Sequence, residues 1–140
     1  RFGDRHVKSN EMTYEDLLHL ADSLHWSEVV VSSASTIAID AAALGKPIVL
    51  TAFDGRRQKP YYESVRHYFD FNHMRNLTAT GGVVVAGSED AFIEALRAYL
   101  KNSFLHVRER EGIVREQCYV QDGKASERLA NVLLVEAAKS

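Results

Sequence analysis

Glu28-Val29-Val30-Val31-Ser32 runs through the polar turn Ser33-Ala34-Ser35 into Thr36-Ile37-Ala38-Ile39-Asp40-Ala41-Ala42-Ala43-Leu44, and Gly45-Lys46-Pro47 then leads to Ile48-Val49-Leu50-Thr51. This stretch decides the fold. The β-branched run ending at Ser32 predicts a strand, and its continuous apolar centre suits burial on both faces. The small residues from Thr36 to Leu44 predict a helix. Gly45 is placed to end it in a left-handed conformation, and Pro47 prevents its continuation. Ile48 to Thr51 is the next strand. Strand, helix and strand in so short a span form a compact βαβ unit, which favours parallel strands and a right-handed crossover.

Upstream, Thr13-x-x-Asp16 is a capping-box-like helix start, with Leu17, Leu18, Ala21 and Leu24 on one apolar face. Residues 1–12 are polar and weakly patterned, with at most a short strand. Downstream, Asp54 to Pro60 reads as a polar loop, Tyr61 to Phe71 as an aromatic-rich segment, and His73 to Thr80 as a short helix. Gly81-Gly82 punctuates before a third strand, Val83-Val84-Val85-Ala86. Ser88 caps a further helix, with Glu89 and Asp90 in its positive first turn and Phe92, Ile93, Leu96 and Leu100 as its stripe. Two more helices are predicted, over 105–118 and 124–138, the last with Ala125, Leu129, Val132 and Leu133 on one side. The fold class is therefore α/β: a Rossmann-like parallel sheet with flanking helices, resembling the second half of a doubly wound sheet. The glycine-rich first βα turn of many nucleotide-binding domains is absent.

The chain of 140 residues fits one domain, 1–140, and at 46% hydrophobic and 26% charged it matches ordinary globular composition. Seventeen basic against nineteen acidic residues give a formal charge of −2, so no global basic field points to a nucleic-acid partner. No apolar run approaches the ~18 residues of a membrane span. The single Cys118 excludes an intrachain disulfide and fits a reducing, cytoplasmic setting; packing on the core is its expected role. The opening Arg1-Phe2-Gly3-Asp4 carries neither a methionine nor a signal-peptide pattern and reads as the start of a segment of something longer.

Open α/β sheets bind ligands beyond the carboxyl ends of their strands. Ser32-Ser33-Ala34-Ser35-Thr36 lies at that edge and begins a helix, so its amides and hydroxyls suit a diphosphate, which the small side chains let approach the backbone. Asp40 lies about one turn beyond Thr36, where a carboxylate can accept bonds from two ribose hydroxyls. The plainer account is that Ser35 or Thr36 caps the helix and Asp40 is a solvated side chain.

Ser35-Thr36-x-x-x-Asp40-Ala41-x-x-x-Gly45-Lys46-Pro47 resembles the Ser-Thr…Glu/Asp-Ala…Gly-x-Pro signature in the C-terminal domain of GT-B glycosyltransferases. The closer likeness is to bacterial surface-polysaccharide transferases, including relatives of the CDP-glycerol glycerophosphotransferases. Ala52-Phe53-Asp54, the Tyr61-to-His73 segment, Gly81-Gly82-Val83 and Cys118-Tyr119-x-x-Asp122-Gly123-Lys124-Ala125-Ser126 extend it over Tyr14 to Leu134. The resemblance implies that Ser33, Ser35 and Thr36 contact the diphosphate of a nucleotide-sugar or CDP-polyol donor, and that Asp40 holds the ribose. Asp40 replaces the commoner glutamate and reaches less far. It further implies that Asp54, His67 and His73 line the cleft, and that no metal or other cofactor is needed. The acceptor domain, and usually the catalytic base with it, belongs to an N-terminal half this chain does not contain. The chain is thus expected to bind donor without turning over, and any membrane contact belongs to the full-length enzyme.

Two other functions stay open. A sugar-nucleotide 2-epimerase shares the architecture, but its usual Gly-Gly phosphate turn is replaced here by Ser33-Ala34-Ser35-Thr36. A non-catalytic module is the third; a receiver would need an aspartate where Val29 to Val31 ends in serines. His67-x-x-Asp70-x-x-His73 has a metal-like composition, but helical spacing spreads the three apart. Tyr61, Tyr62 and His67 either close on a ligand or pack in the core. Arg56, Arg57 and Lys59 form a small basic loop that either meets an anion or an anionic surface, or is simply solvated. Arg108-Glu109-Arg110-Glu111 reads as an exposed helix face.

Overall fold

The computed structural model describes residues 12–139. In chain order the elements are α1 (Tyr14–Trp26), β1 (Val30–Ser32), α2 (Ile37–Ala43), β2 (Ile48–Thr51), two short 3-10 segments (Tyr61–Glu63 and Val65–Asp70), α3 (Asn72–Ala79), β3 (Val84–Ala86), α4 (Glu89–Lys101), α5 (Val107–Gln117) and α6 (Ala125–Ala137). The three strands form one sheet in the order β1-β2-β3, and both pairings are parallel. The α/β expectation holds. The short strand allowed for residues 1–12 falls almost wholly outside the described residues.

β2 is the spine. Ile48 and Leu50 point into one core with Val30, Ala38, Ala41, Met74, Leu77 and Ile113, and Val49 points into a second with Ala86, Ala95 and Tyr99. Ile48, Val49 and Leu50 are all fully buried, as the period-2 alternation of a strand between two layers requires. α2 covers the first face and carries α5 on its back, while α4 covers the second over β2 and β3. That placement corrects the reading of β1 as buried on both faces: Val31 is 45% exposed, because α4 does not extend over β1.

Local signals were sound at the caps. The Thr13 hydroxyl accepts from the Asp16 amide at 3.1 Å, and Asp16 Oδ2 accepts from the Thr13 amide at 3.0 Å. The Ser88 hydroxyl accepts from Ala91 at 3.2 Å, and Gly45 ends α2 at φ +71°. The apolar stripes fared less well. In α1 only Leu24 is buried, with Leu20 packed beside it, and Leu17 and Leu18 stand about half exposed. In α4 the buried line is Ala95 and Tyr99 flanked by Phe92 and Leu96, while Ile93 and Leu100 face out. α6 buries no residue, so its expected side of Leu129, Val132 and Leu133 is open. In each case periodicity marks an apolar face correctly but does not say whether the described fold covers it.

Among the described glycines, Gly82 marks the closest approach of another element. A Cβ there would lie 2.7 Å from Ile113 Cδ1 and 2.8 Å from the Arg110 backbone nitrogen, so α5 rests directly on the glycine. α5 also corrects a second expectation. Arg110 is 2% exposed rather than on a solvated face. Its guanidinium donates to the carbonyls of Ser103, at 2.8 Å, and Leu105, and lies 5.9 Å from the centre of the Tyr99 ring. Those bonds hold the bend in which His106 takes a left-handed conformation at φ 57° before α5 begins. No described helix is long and apolar enough to cross a membrane.

Candidate functional site

Parallel pairing brings three strand ends to one edge: Ser32, Thr51 and Ala86. The Thr51 hydroxyl donates to the Ser32 carbonyl at 3.3 Å, and the Ala52 amide to the Ala86 carbonyl at 2.7 Å, so the edge is fastened just where its loops leave. From β1 leaves the turn Ser33–Thr36, from β2 the loop beginning Ala52-Phe53-Asp54, and from β3 the Gly87-Ser88 start of α4.

The serine turn is open. Ser33 and Thr36 are exposed and Ser35 is half-buried. The Ser35 hydroxyl accepts from the Ile37 amide at a long 3.4 Å, and the Ser35 and Thr36 carbonyls take the first amides of α2, Ala38 at 3.3 Å and Ile39 at 2.8 Å. Thr36 occupies the cap position in a helical conformation, and its side chain makes no cap bond. A helical backbone turns the hydroxyl away from the amides that a capping side chain would reach. The capping role therefore falls weakly to Ser35. Asp40 is exposed on the first turn of α2 and takes part in none of the described ion pairs.

The Asp54 carboxylate is turned into its own loop. Its side chain is only 4% exposed; Oδ1 accepts from the Val65 amide at 2.9 Å and Oδ2 from the Lys59 amide at 3.2 Å, with Arg66 Nε 4.0 Å away. Burial works to raise its pKa, but the Ser64 hydroxyl, the two amides and the Arg66 guanidinium outweigh it and hold the carboxyl below the usual range. Asp54 is thus a loop organiser. Sequence reasoning missed its partners. Ser64 is completely buried, and its hydroxyl accepts from the Arg66 amide and from Arg66 Nε at 2.8 Å. An aspartate followed by glycine at a strand end is the one signal that points to such a turn.

His67 donates from Nδ1 to the Ser64 carbonyl at 2.7 Å, which leaves Nε2 as the nitrogen able to meet a ligand. Its ring lies among Tyr61, Tyr68 and Phe71. His73 is on a different element, α3, with Phe71 between the two histidines. Asp70 is taken up by the Tyr61 hydroxyl and by Arg75 at 3.3 Å; the Tyr61 bond, then Arg75, lowers its pKa. Among the described residues no three His, Cys, Asp or Glu side chains converge as metal ligands.

Two clefts open at the other end of the sheet. One, of about 370 Å³, lies between the end of α2 (Ala42, Gly45) and α5 (Val107, Arg110, Glu111, Arg115). The second, of about 210 Å³, lies beside it around Lys46, Ser103 and Phe104. Neither is lined by Ser33, Ser35, Thr36 or Asp40. At the carboxyl edge the serine turn and the Asp54 loop leave adjacent strands and flank a shelf between them.

Comparison with curated proteins and with solved structures gave no significant match. Comparison with protein families matches residues 4–135 to the family described as CDP-Glycerol:Poly(glycerophosphate) glycerophosphotransferase. The match covers the sheet, the serine turn, the Asp54 loop and nearly all of α6, and the chain belongs to the CDP-glycerol:poly(glycerophosphate) glycerophosphotransferase family.

Proposed function

We infer that this chain is the donor-binding part of a GT-B-type transferase of surface-polymer synthesis, and that the donor it holds is CDP-glycerol or a closely similar CDP-polyol. The observation that carries this reading is the Thr36 hydroxyl, which makes no cap bond, beside Ser33 and Ser35 on an exposed strand-end turn, with Asp40 one turn further on and in no ion pair among the described residues. The family membership supports the donor class.

In the transfer, an acceptor hydroxyl oxygen forms a bond to the phosphorus that bears glycerol. The bond from that phosphorus to the bridging oxygen of the diphosphate breaks, CMP leaves with the electron pair, and the hydroxyl proton goes to a base. Ser33, Ser35 and Thr36 hydroxyls, with the amides of their turn, donate to the diphosphate and stabilise the charge that grows on the departing nucleotide. Asp40 accepts from the ribose hydroxyls and fixes the nucleotide's rotation. In this reading the base that takes the proton is not among these four residues.

Calorimetric titration of the chain with CDP-glycerol, CMP, UDP-glucose and GDP-mannose tests the reading. Binding of CDP-glycerol in preference to the other two donors, weakened by Thr36→Val and Asp40→Ala, is the expected result. A correctly folded chain that takes up none of them at millimolar concentration rejects it.

A further inference from the structure

The basic loop is built for more than solvation. Between Gly55 and Tyr62 the chain carries Arg56, Arg57 and Lys59 and no carboxylate. All three cations are exposed, and none enters an ion pair among the described residues. The loop that presents them is nevertheless tied down. The Lys59 amide donates to Asp54 Oδ2 at 3.2 Å and the Lys59 carbonyl accepts from the Arg66 guanidinium at 3.1 Å, so this one residue is held from both sides. Gly55 makes the turn at φ +75°, and buried Ser64 anchors the return. The loop leaves the end of the central strand, next to the serine turn that leaves β1.

Three exposed cations on a loop whose backbone is held at Lys59 and at both ends form a strip for a polyanion, because part of the backbone ordering is already in place before the polyanion docks. Resting on the donor reading above, we propose that Arg56, Arg57 and Lys59 bind successive phosphodiesters of the polymeric acceptor, a polyol-phosphate chain, and keep its growing end over the donor.

The test is binding of a synthetic oligo(glycerol phosphate) to the chain over a range of salt. Arg56→Gln/Arg57→Gln/Lys59→Gln is expected to weaken oligomer binding about tenfold or more and to flatten the log–log salt dependence by about 2, since each phosphate contact releases most of one counterion. CDP-glycerol affinity is expected to stay within about twofold, since the donor reading gives its contacts to Ser33, Ser35, Thr36 and Asp40 and none to these three exposed side chains. Arg56→Lys/Arg57→Lys keeps the charge and is expected to retain most of the oligomer binding. Unchanged oligomer affinity in the triple variant overturns the proposal. So does equally tight, equally charge-dependent binding to phosphatidylglycerol vesicles, which assigns the strip to a membrane surface. Loss of oligomer binding in a chain that never bound CDP-glycerol leaves the strip standing and removes the donor reading.

Discussion

Asp54 Oδ1 accepts the amide proton of Val65 at 2.9 Å, so a single carboxylate at the end of the central strand closes a loop that carries three cations and two tyrosines. The second oxygen binds Lys59 at 3.2 Å, so the same side chain determines both the base and the middle of the loop.

Asp54→Ala should release that loop without melting the sheet. Amide exchange at Lys59, Val65 and Arg66 is expected to quicken several-fold, and proteolysis to begin between Gly55 and Ser64, while exchange in β2 stays slow. Asp54→Asn should fall between the two, since its carboxamide keeps one acceptor for two amides. Slow exchange at Lys59 and Val65 in the alanine variant would show that the loop is held by other contacts.

Acid should act at several of these links together. Besides Asp54, the Thr13 hydroxyl and amide hold Asp16 below the ordinary aspartate range, the Tyr61 hydroxyl and then Arg75 hold Asp70 there, and Arg128 and then the Lys124 amide hold Asp122 there. A carboxylate whose folded pKa is depressed stabilises the fold above its unfolded pKa, and that contribution is lost as pH falls through the folded value. Stability should therefore be level from neutrality to about pH 5 and decline below about pH 4. Denaturation midpoints against pH check it. Asp54→Asn should shallow the decline, and a profile that falls already between pH 7 and 5 contradicts the assignment.

Gly82→Ala should destabilise by about 1–3 kcal/mol, because the added methyl meets the α5 backbone, which cannot step aside as a flexible side chain would. Urea unfolding gives the number. Gly87→Ala is the control, since a Cβ there has nothing within 4 Å.

Arg110→Met should cost about 2–3 kcal/mol by leaving the Ser103 and Leu105 carbonyls without a donor. Arg110→Lys should recover little of it, since one ammonium group lacks the planar fork that serves two carbonyls. Full recovery by lysine would mean that charge over the Tyr99 ring, not the two-pronged bond, is what matters.

Asp40→Ala should weaken donor binding by about 1–3 kcal/mol if the carboxylate accepts two ribose hydroxyls. A 2′-deoxy donor should lose part of that affinity with the native chain and nothing further with the variant. Equal losses in both would separate Asp40 from the ribose.

The parts of this fold that the sequence makes legible are those fixed by neighbouring residues. Val30 to Ser32, Gly45 at its positive φ, the Thr13–Asp16 box and the Ser88 cap depend on chemistry within a few positions, and each stands as its pattern implies. Burial is a relation between distant segments, and there the pattern misled. Leu17, Leu129 and Val132 have the spacing of core residues but face outward, while Arg110 has the charge of a surface residue and is enclosed. The shelf divides the same way. Ser33, Ser35, Thr36 and Asp40 could be placed from a strand-turn-helix reading. Asp54 could be singled out but not oriented, since its hydrogen-bond partners lie five and eleven residues further on.

β2 is sealed on both sides, and the Asp54 loop starts from its end. If the donor reading is right, a nucleotide at the shelf meets a rigid rail: the strand cannot shift toward it without exposing Ile48, Val49 and Leu50 together. Nucleotide uptake should accordingly leave a narrow footprint, confined to the serine turn and the first turn of α2.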